Sequence, residues 1–161
     1  MIAYADPRWL WPALAVSMAG ELIQLWCFAT LDKNSSLACR GPYAIVRNPM
    51  YLGRFFILGG ALMLLGQPWL LVLYAVVYWF YMVNRVGREE RRLREVLGAP
   101  YADYCAGTRR FLPGAPYRGE PVLVWDGALF LYNDAATTVA YTVALSLAPL
   151  AFAAFTVIFA A

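Results

Sequence analysis

The chain has 161 residues, 62% of them hydrophobic and 14% charged, with a formal net charge of +3 and a mean hydropathy of +0.56. Soluble domains hold about 45–50% apolar and about 25% charged residues, so a single soluble core does not account for this chain. It has no histidine, which excludes histidine-ligated zinc or haem and histidine acid–base chemistry, and its three cysteines, Cys27, Cys39 and Cys105, form no CxxC pair. That count and spacing argue against a metal site or a disulfide framework.

A helix crosses the bilayer core in about 20 mostly apolar residues. Four stretches meet or approach that length. The first covers residues 9–31, interrupted by Glu21 and Gln24, and the second residues 51–66, with Arg54 near its start. The third covers residues 68–86, and the fourth, residues 136–160, is uncharged. The first is longer than the apolar core of a secretion signal and has few basic residues before it, so it reads as a retained span.

Asp6-Pro7, Asn48-Pro49 and Gln67-Pro68 each set a polar residue before a proline. This is the pattern of an N-cap followed by the first helical turn. Asn133 or Asp134 is placed to cap the fourth helix. Gly66-Gln67-Pro68 allows only a tight turn, so the second and third segments are expected to form an antiparallel helical hairpin. Residues 88–97 read as a separate short amphipathic helix with an apolar stripe of Leu93, Val96 and Leu97, stopped by Gly98 and Pro100. Residues 101–105 form a further short turn of helix, and Pro113, Gly114, Pro116 and Gly119 mark an irregular loop. Residues 121–132 are apolar but too short to span, and read as an interfacial or re-entrant segment. The expected class is thus an all-α integral membrane protein of about four transmembrane helices, one domain over residues 1–161.

The hairpin places two polar regions, residues 32–48 and 85–120, on one membrane face. They hold most of the arginines, and the positive-inside rule makes that face cytoplasmic, with both termini opposite. A bacterial-type inner membrane is the expected location. Basic residues that border apolar helices suit lipid headgroups better than nucleic acid.

Two constellations carry chemistry. One runs Gly41-Pro42-Tyr43-Ala44-Ile45-Val46-Arg47-Asn48-Pro49-Met50-Tyr51-Leu52-Gly53. The other is Arg85 with Glu89 and Glu90. Ionisable groups at the edge of an apolar bundle are costly and usually mark function. Plainer readings stand beside this one: Glu90 with Arg94, and Arg91 with Glu95, have the spacing of ordinary helical ion pairs, and Arg85 can pair with Glu89. Glu21 and Gln24, one turn apart, suit either a substrate headgroup or a neighbouring helix.

The ordered set Gly41-Pro42-Tyr43, Arg47-Asn48-Pro49-Met50-Tyr51-Leu52-Gly53, an apolar hairpin, Glu89-Glu90, Leu93, Leu97-Gly98, Tyr101, Tyr104 and Arg109-Arg110-Phe111-Leu112-Pro113 resembles the isoprenylcysteine carboxyl methyltransferase family. That family is related to the phospholipid methyltransferases. The resemblance implies S-adenosylmethionine as cofactor, bound at the cytoplasmic membrane surface. It implies one wall of Tyr43, Arg47, Asn48, Pro49, Tyr51, Leu52 and Gly53. It implies another of Glu89, Glu90, Tyr101 and the strip from Arg109 through Arg110 to Pro113. Arg85 falls where eukaryotic members carry an arginine thought to orient the substrate, and Arg85, Asn48 and Glu89 are the catalytic candidates.

The charges suit such a cofactor. A carboxylate such as Glu89 or Glu90 holds an ammonium, and a guanidinium such as Arg47 holds a carboxylate. No metal is required. The acceptor is lipophilic: an isoprenoid or lipid carboxylate, a phospholipid amine, or a thiol. Three departures from the family pattern stand out. Asn48 occupies the place of a histidine in many members, the N-terminal helical pair of many members is missing, and the fourth helix is extra. The alternative reading is a non-enzymatic membrane subunit or assembly factor that keeps the fold.

Overall fold

The computed structural model describes residues 7–31, 37–133, 140 and 143–144. All regular structure among them is helical. The helices are α1 (Leu10–Phe28), α2 (Pro42–Ile45), α3 (Pro49–Met63), α4 (Pro68–Leu97), α5 (Ala99–Gly107) and α6 (Gly127–Tyr132), with short 3-10 turns at Pro7–Trp9 and Tyr117–Gly119. The expected fourth span, residues 136–160, falls outside the described residues save for 140, 143 and 144.

By length and composition, α1 and α4 can each cross a membrane. The expected second span is helical but has only 15 residues. At 1.5 Å per residue it reaches about 22 Å, less than the bilayer core of about 30 Å. It gives out at Met63, and Gly66 turns the chain at φ +60, a conformation open to glycine at little cost.

Helix α4 corrects one expectation. Residues 88–97 are no separate amphipathic helix. They are the last turns of a single 30-residue helix, roughly 45 Å long. The change from apolar to charged composition after Val86 looks like a boundary, yet nothing there breaks a helix. Gly87 costs only about 1 kcal/mol relative to alanine. The stop comes at Gly98, with φ +61, whose amide donates to the Arg94 carbonyl at 3.0 Å. Ala99 and Pro100 then begin α5, which extends further than the turn expected at 101–105.

Both Pro49 and Pro68 stand at helix starts, as the Asn-Pro and Gln-Pro pairs indicated. Neither Asn48 nor Gln67 caps its helix through the side chain, however. Asn48 is turned elsewhere, as described below.

The tightest packing joins α1 to α3. Ala13, Ser17, Gly20 and Gln24 line the α1 face, at helical spacing, and are buried. Gly53, Ile57 and Gly60 face them from α3. A Cβ on Gly20 would lie 2.6 Å from the Gly53 carbonyl oxygen and 2.7 Å from the Ile57 amide nitrogen. Only glycine lets the two backbones approach this closely, as in small-residue interfaces of membrane helices. Ser17 donates to the Ile57 carbonyl at 3.2 Å, and Gln24 to the Met50 carbonyl at 3.3 Å. Of the two readings of Gln24, a bond to a neighbouring helix is the one observed.

Helix α4 meets the other side of α3 through aromatic rings. Tyr74 donates to the Phe55 carbonyl at 2.9 Å and Tyr78 to the Tyr51 carbonyl at 2.7 Å. Phe55 stacks on Tyr74 with centroids 5.3 Å apart.

After α5 the chain returns to α1. Asp126 caps α6 by accepting from the Ala128 amide at 2.8 Å and the Leu129 amide at 3.2 Å. The Asn133 side-chain amide donates to the Phe28 carbonyl at 2.9 Å and the Leu31 carbonyl at 2.7 Å. It thereby satisfies carbonyls left free at the end of α1. The start of the helix that Asn133 or Asp134 is expected to cap lies outside the described residues. Leu123, Trp125, Leu131 and Tyr132 of this returning segment are exposed.

Candidate active site

Local chain geometry sets the site. Gly41 takes φ +61 and packs so closely on Thr30 that a Cβ would sit 2.5 Å from the Thr30 methyl carbon. Pro42 then starts α2, which buries Tyr43 against the end of α1. Residues 45–48 run beside the 109–114 strip. The Arg47 amide donates to the Arg109 carbonyl and the Gly114 amide to the Ile45 carbonyl, each at 2.9 Å. Main-chain bonds thus fix the motif before α3 to the Arg109–Pro113 strip.

The centre of the site is Glu90, which is only 3% exposed. It lies on the inward face of α4, one turn after fully buried Val86. Arg110 clasps its carboxylate with two nitrogens, Nε to Oε1 at 3.3 Å and Nη2 to Oε2. Arg47 Nε lies 3.3 Å from Oε1, and Asn48 Nδ2 donates to the same oxygen at 3.4 Å. Asn48 also donates to the Arg110 carbonyl at 3.3 Å, and Arg47 Nη1 to the Cys105 carbonyl at 2.8 Å. The ion-pair partners of Glu90 are therefore Arg110 and Arg47, not the Arg94 that helical spacing suggested.

Glu89 is placed differently. It is exposed and accepts from the Tyr51 hydroxyl at 2.9 Å. Arg85, exposed one turn earlier, reaches the same hydroxyl electrostatically. Adjacent positions on α4 thus present one carboxylate inward, saturated by cations, and one outward, held by a single tyrosine.

Tyr101 and Tyr104 of α5, with Tyr117, form a small aromatic core beneath the strip. Tyr104 donates to the Tyr43 carbonyl at 2.6 Å and meets the Tyr117 ring edge-on at 5.3 Å. Burial pushes the Tyr101 hydroxyl above the usual tyrosine range, as do Cys105 and Glu90 beside it, with Arg47 partly offsetting them. Burial likewise raises Tyr104. The Tyr43 hydroxyl is raised well above its ordinary value, first by burial and then by the Cys27 thiol beside it.

Of the residues singled out in the sequence, Arg47, Asn48, Glu90, Arg110 and Tyr101 come together in one cluster. Tyr51, Glu89 and Arg85 form a second, adjoining group. Pro49 is buried at the first turn of α3, and Leu52 is half-buried. Gly53 faces α1, where a Cβ would lie 3.0 Å from the Gln24 Cγ. Tyr43 reaches the cluster through its carbonyl and Tyr104. Pro113 lies exposed at the end of the strip.

Sequence reasoning passed over Tyr74, Tyr78 and Tyr117. The first two carried a signal, since tyrosines four apart on α4 match Tyr51 and Phe55 four apart on α3. The role of Tyr117 depends on the course of an irregular loop and had no local mark.

Comparison with known proteins agrees with this architecture. The phospholipid methyltransferase family matches residues 14–99, more than half of the chain, with most of α1 and all of α2, α3 and α4. The chain belongs to this family. Among curated proteins it is similar to protein-S-isoprenylcysteine O-methyltransferase of Saccharomyces cerevisiae, 38% identical over 91 residues, covering 56% of this chain and 38% of the relative. The Schizosaccharomyces pombe protein of the same name is 32% identical over 90 residues, 56% of this chain and 38% of that one. Protein-S-isoprenylcysteine O-methyltransferase B of Arabidopsis thaliana is 29% identical over 86 residues, 53% of this chain and 42% of that one. The chain thus spans less than half the length of these three relatives. No solved structure matches it. Family membership and two apolar helices fit an integral membrane protein.

Proposed function

We propose that the chain is a membrane-embedded methyltransferase that uses S-adenosylmethionine and acts on a lipophilic acceptor arriving from the bilayer. The carrying observation is the division of labour between neighbouring carboxylates. Glu90 is consumed in joining α3, α4 and the 109–114 strip. Glu89 is left at the surface beside Tyr51 and Arg85.

The side chains present fit the cofactor. Its ammonium calls for a carboxylate, and Glu89 offers one. Its carboxylate calls for N–H and O–H donors. Thr108 Oγ1 is buried without a hydrogen-bond partner, which is costly unless a ligand supplies one, and the Arg47 guanidinium, ion-paired to Glu90, adds positive charge beside it. When bound, S-adenosylmethionine supplies a methyl group activated by a sulfonium. The chain's residues bind, orient and exclude water. Arg85 orients an acceptor carboxylate or phosphate, and the rings of Tyr51 and Tyr101 keep the site dry. Alignment of this kind supplies much of the rate in a displacement reaction. Asn48 cannot titrate, so it acts by holding Glu90 and the strip in place.

In the same proposal the chain crosses the membrane about four times, with α3 and α4 as a hairpin and the polar end cytoplasmic. The acceptor is an isoprenoid or lipid carboxylate, a phospholipid amine, or a thiol. The competing reading is a non-enzymatic membrane subunit, favoured by the engagement of Asn48 with Glu90 where titratable histidine is common.

Calorimetry with S-adenosylmethionine tests the site. Wild type is expected to bind, and Glu89→Ala and Arg47→Ala to lose binding. Normal binding by both variants would sink the assignment. Methyl-labelled cofactor, incubated with the protein and a membrane lipid extract, is expected to give a labelled lipid. Binding without transfer to any lipid, thiol or peptide would favour the subunit reading.

A further inference from the structure

Arg54 is the single charged residue of α3 and takes no part in the cluster around Glu90. It is exposed, and its guanidinium carbon lies 5.8 Å from the centre of the Tyr51 ring. No carboxylate pairs with it among the described residues. An ionisable group within an apolar helix is expensive, and one that persists there usually marks a ligand or a partner charge.

The surroundings of Arg54 point to what it meets. A slot of about 360 Å³ opens between α3 and α4, lined by Arg54, Leu58, Tyr74, Val77, Tyr78 and Tyr81. That size falls in the range of small-molecule sites, about 300–1,000 Å³. Leu58 lies one turn along α3 from Arg54. The cation therefore stands at the end nearer the Glu90 cluster, and the slot continues over apolar side chains along the helix axes. Leu58 and Val77 are 37% and 58% exposed, so no described part of the chain covers them. The hydroxyls of Tyr74 and Tyr78 are already spent on α3 carbonyls, which leaves the guanidinium as the one charged group of the slot, with the Tyr81 hydroxyl beside it.

We propose that this slot holds one anionic phospholipid, its phosphate on Arg54 and an acyl chain laid between α3 and α4. Charge and shape select the occupant. A zwitterionic lipid brings its own cation to the guanidinium, and a free phosphate leaves the apolar slot unfilled. Basic pockets between membrane helices hold anionic headgroups by the same physics. The site requires only that the chain lies in a bilayer. It stands whether or not the methyltransferase reading does.

Native mass spectrometry of the purified full chain in detergent tests this, with phosphatidylglycerol and phosphatidylcholine of equal chain length as probes. A first bound phosphatidylglycerol is expected to be held about fivefold or more tighter than phosphatidylcholine, the scale of one arginine at a membrane surface. Arg54→Gln should abolish that preference. Val77→Trp, which fills the slot from an exposed position, should weaken both lipids with Arg54 intact. Arg92→Gln, on the exposed polar half of α4, should change nothing. Glycerol phosphate, a headgroup without chains, should not compete. The proposal is overturned if Arg54→Gln keeps the preference, or if Arg92→Gln loses as much. It is overturned equally if glycerol phosphate displaces the lipid.

Discussion

Helix α3 is held along its length by α1 and at its N-terminal end by α4 and the 109–114 strip, and the two contacts are made of different materials. Against α1 the seam is glycine on backbone, with Gly20 pressed onto the Gly53 carbonyl and Gly60 onto the turn of Ala13 and Ser17. No titratable side chain enters the row Ala13, Ser17, Gly20, Gln24. At the N-terminal end the contact is a buried carboxylate shared by two arginines and an asparagine. The seam is specified by volume, and the cluster by charge. A molecule built this way holds its apolar scaffold by close backbone approach, while its polar end depends on a few ionised groups.

The largest effect is expected at Glu90. Glu90→Ala strands Arg47, whose side chain is 11% exposed, while Arg110, 39% exposed, can turn to water. Removing one partner of a buried pair costs about 3–5 kcal/mol, and the escape of Arg110 places this case near the lower end. Thermal unfolding in detergent should show the loss. Glu90→Gln, which keeps the hydrogen-bond acceptor, should recover part of it. Equal, small losses for both variants would mean that the cluster adds little to the fold.

A smaller effect is expected in the seam, with the opposite dependence on chemistry. Gly20→Val forces the α1 and α3 backbones apart at the cost of overpacking, about 1–3 kcal/mol. Gly87, by contrast, has nothing within 4 Å of where a Cβ would stand. Gly87→Ala should therefore stabilise α4 by about 0.5–1 kcal/mol through helix propensity. Melting temperatures of the two variants should move in opposite directions. If both fall, close approach is not what distinguishes Gly20.

The same contrast explains how much of the molecule was legible in its sequence. Pro49 and Pro68 mark the helix starts they suggested, because a proline at the first turn gives up an amide that has no partner there anyway. Gly98 ends α4 for an equally local reason. The motif from Gly41 to Gly53 and the Glu89-Glu90 pair were visible as candidates. Which glutamate faces inward was not, since it depends on how α4 is rotated against α3. Nor was the partner of Glu90, because Arg110 lies 20 residues away across a turn and a second helix, where helical spacing carries no information. The continuous α4 was hidden by a change of composition that breaks no helix. Gly20, Gly53 and Gly60 were plain in the sequence, but only the facing backbone gives their spacing a meaning.

The smallest effect is a pH dependence that should separate the two contacts. The hydroxyls of Tyr43, Tyr101 and Tyr104 are all raised, in each case first by burial. An unfolded tyrosine loses its proton near pH 10. Above that pH the unfolded chain gives up protons that the folded chain keeps, so stability falls as pH rises. The stabilising contribution is complete below about pH 10 and is lost as pH climbs through the raised values. In an alkaline titration followed by tyrosinate absorbance, these three tyrosines should be among those that ionise late, together with opening of the α2–α5 contact. Tyr104→Phe removes one of them and its bond to the Tyr43 carbonyl. That variant should be less stable at neutral pH yet lose stability less steeply above about pH 10. The stretch of the seam around Gly20, from Ala13 to Gln24, buries no titratable residue, so Gly20→Val should shift stability by the same amount at neutral and alkaline pH. A pH-dependent penalty for Gly20→Val would mean that seam and cluster are not separate supports.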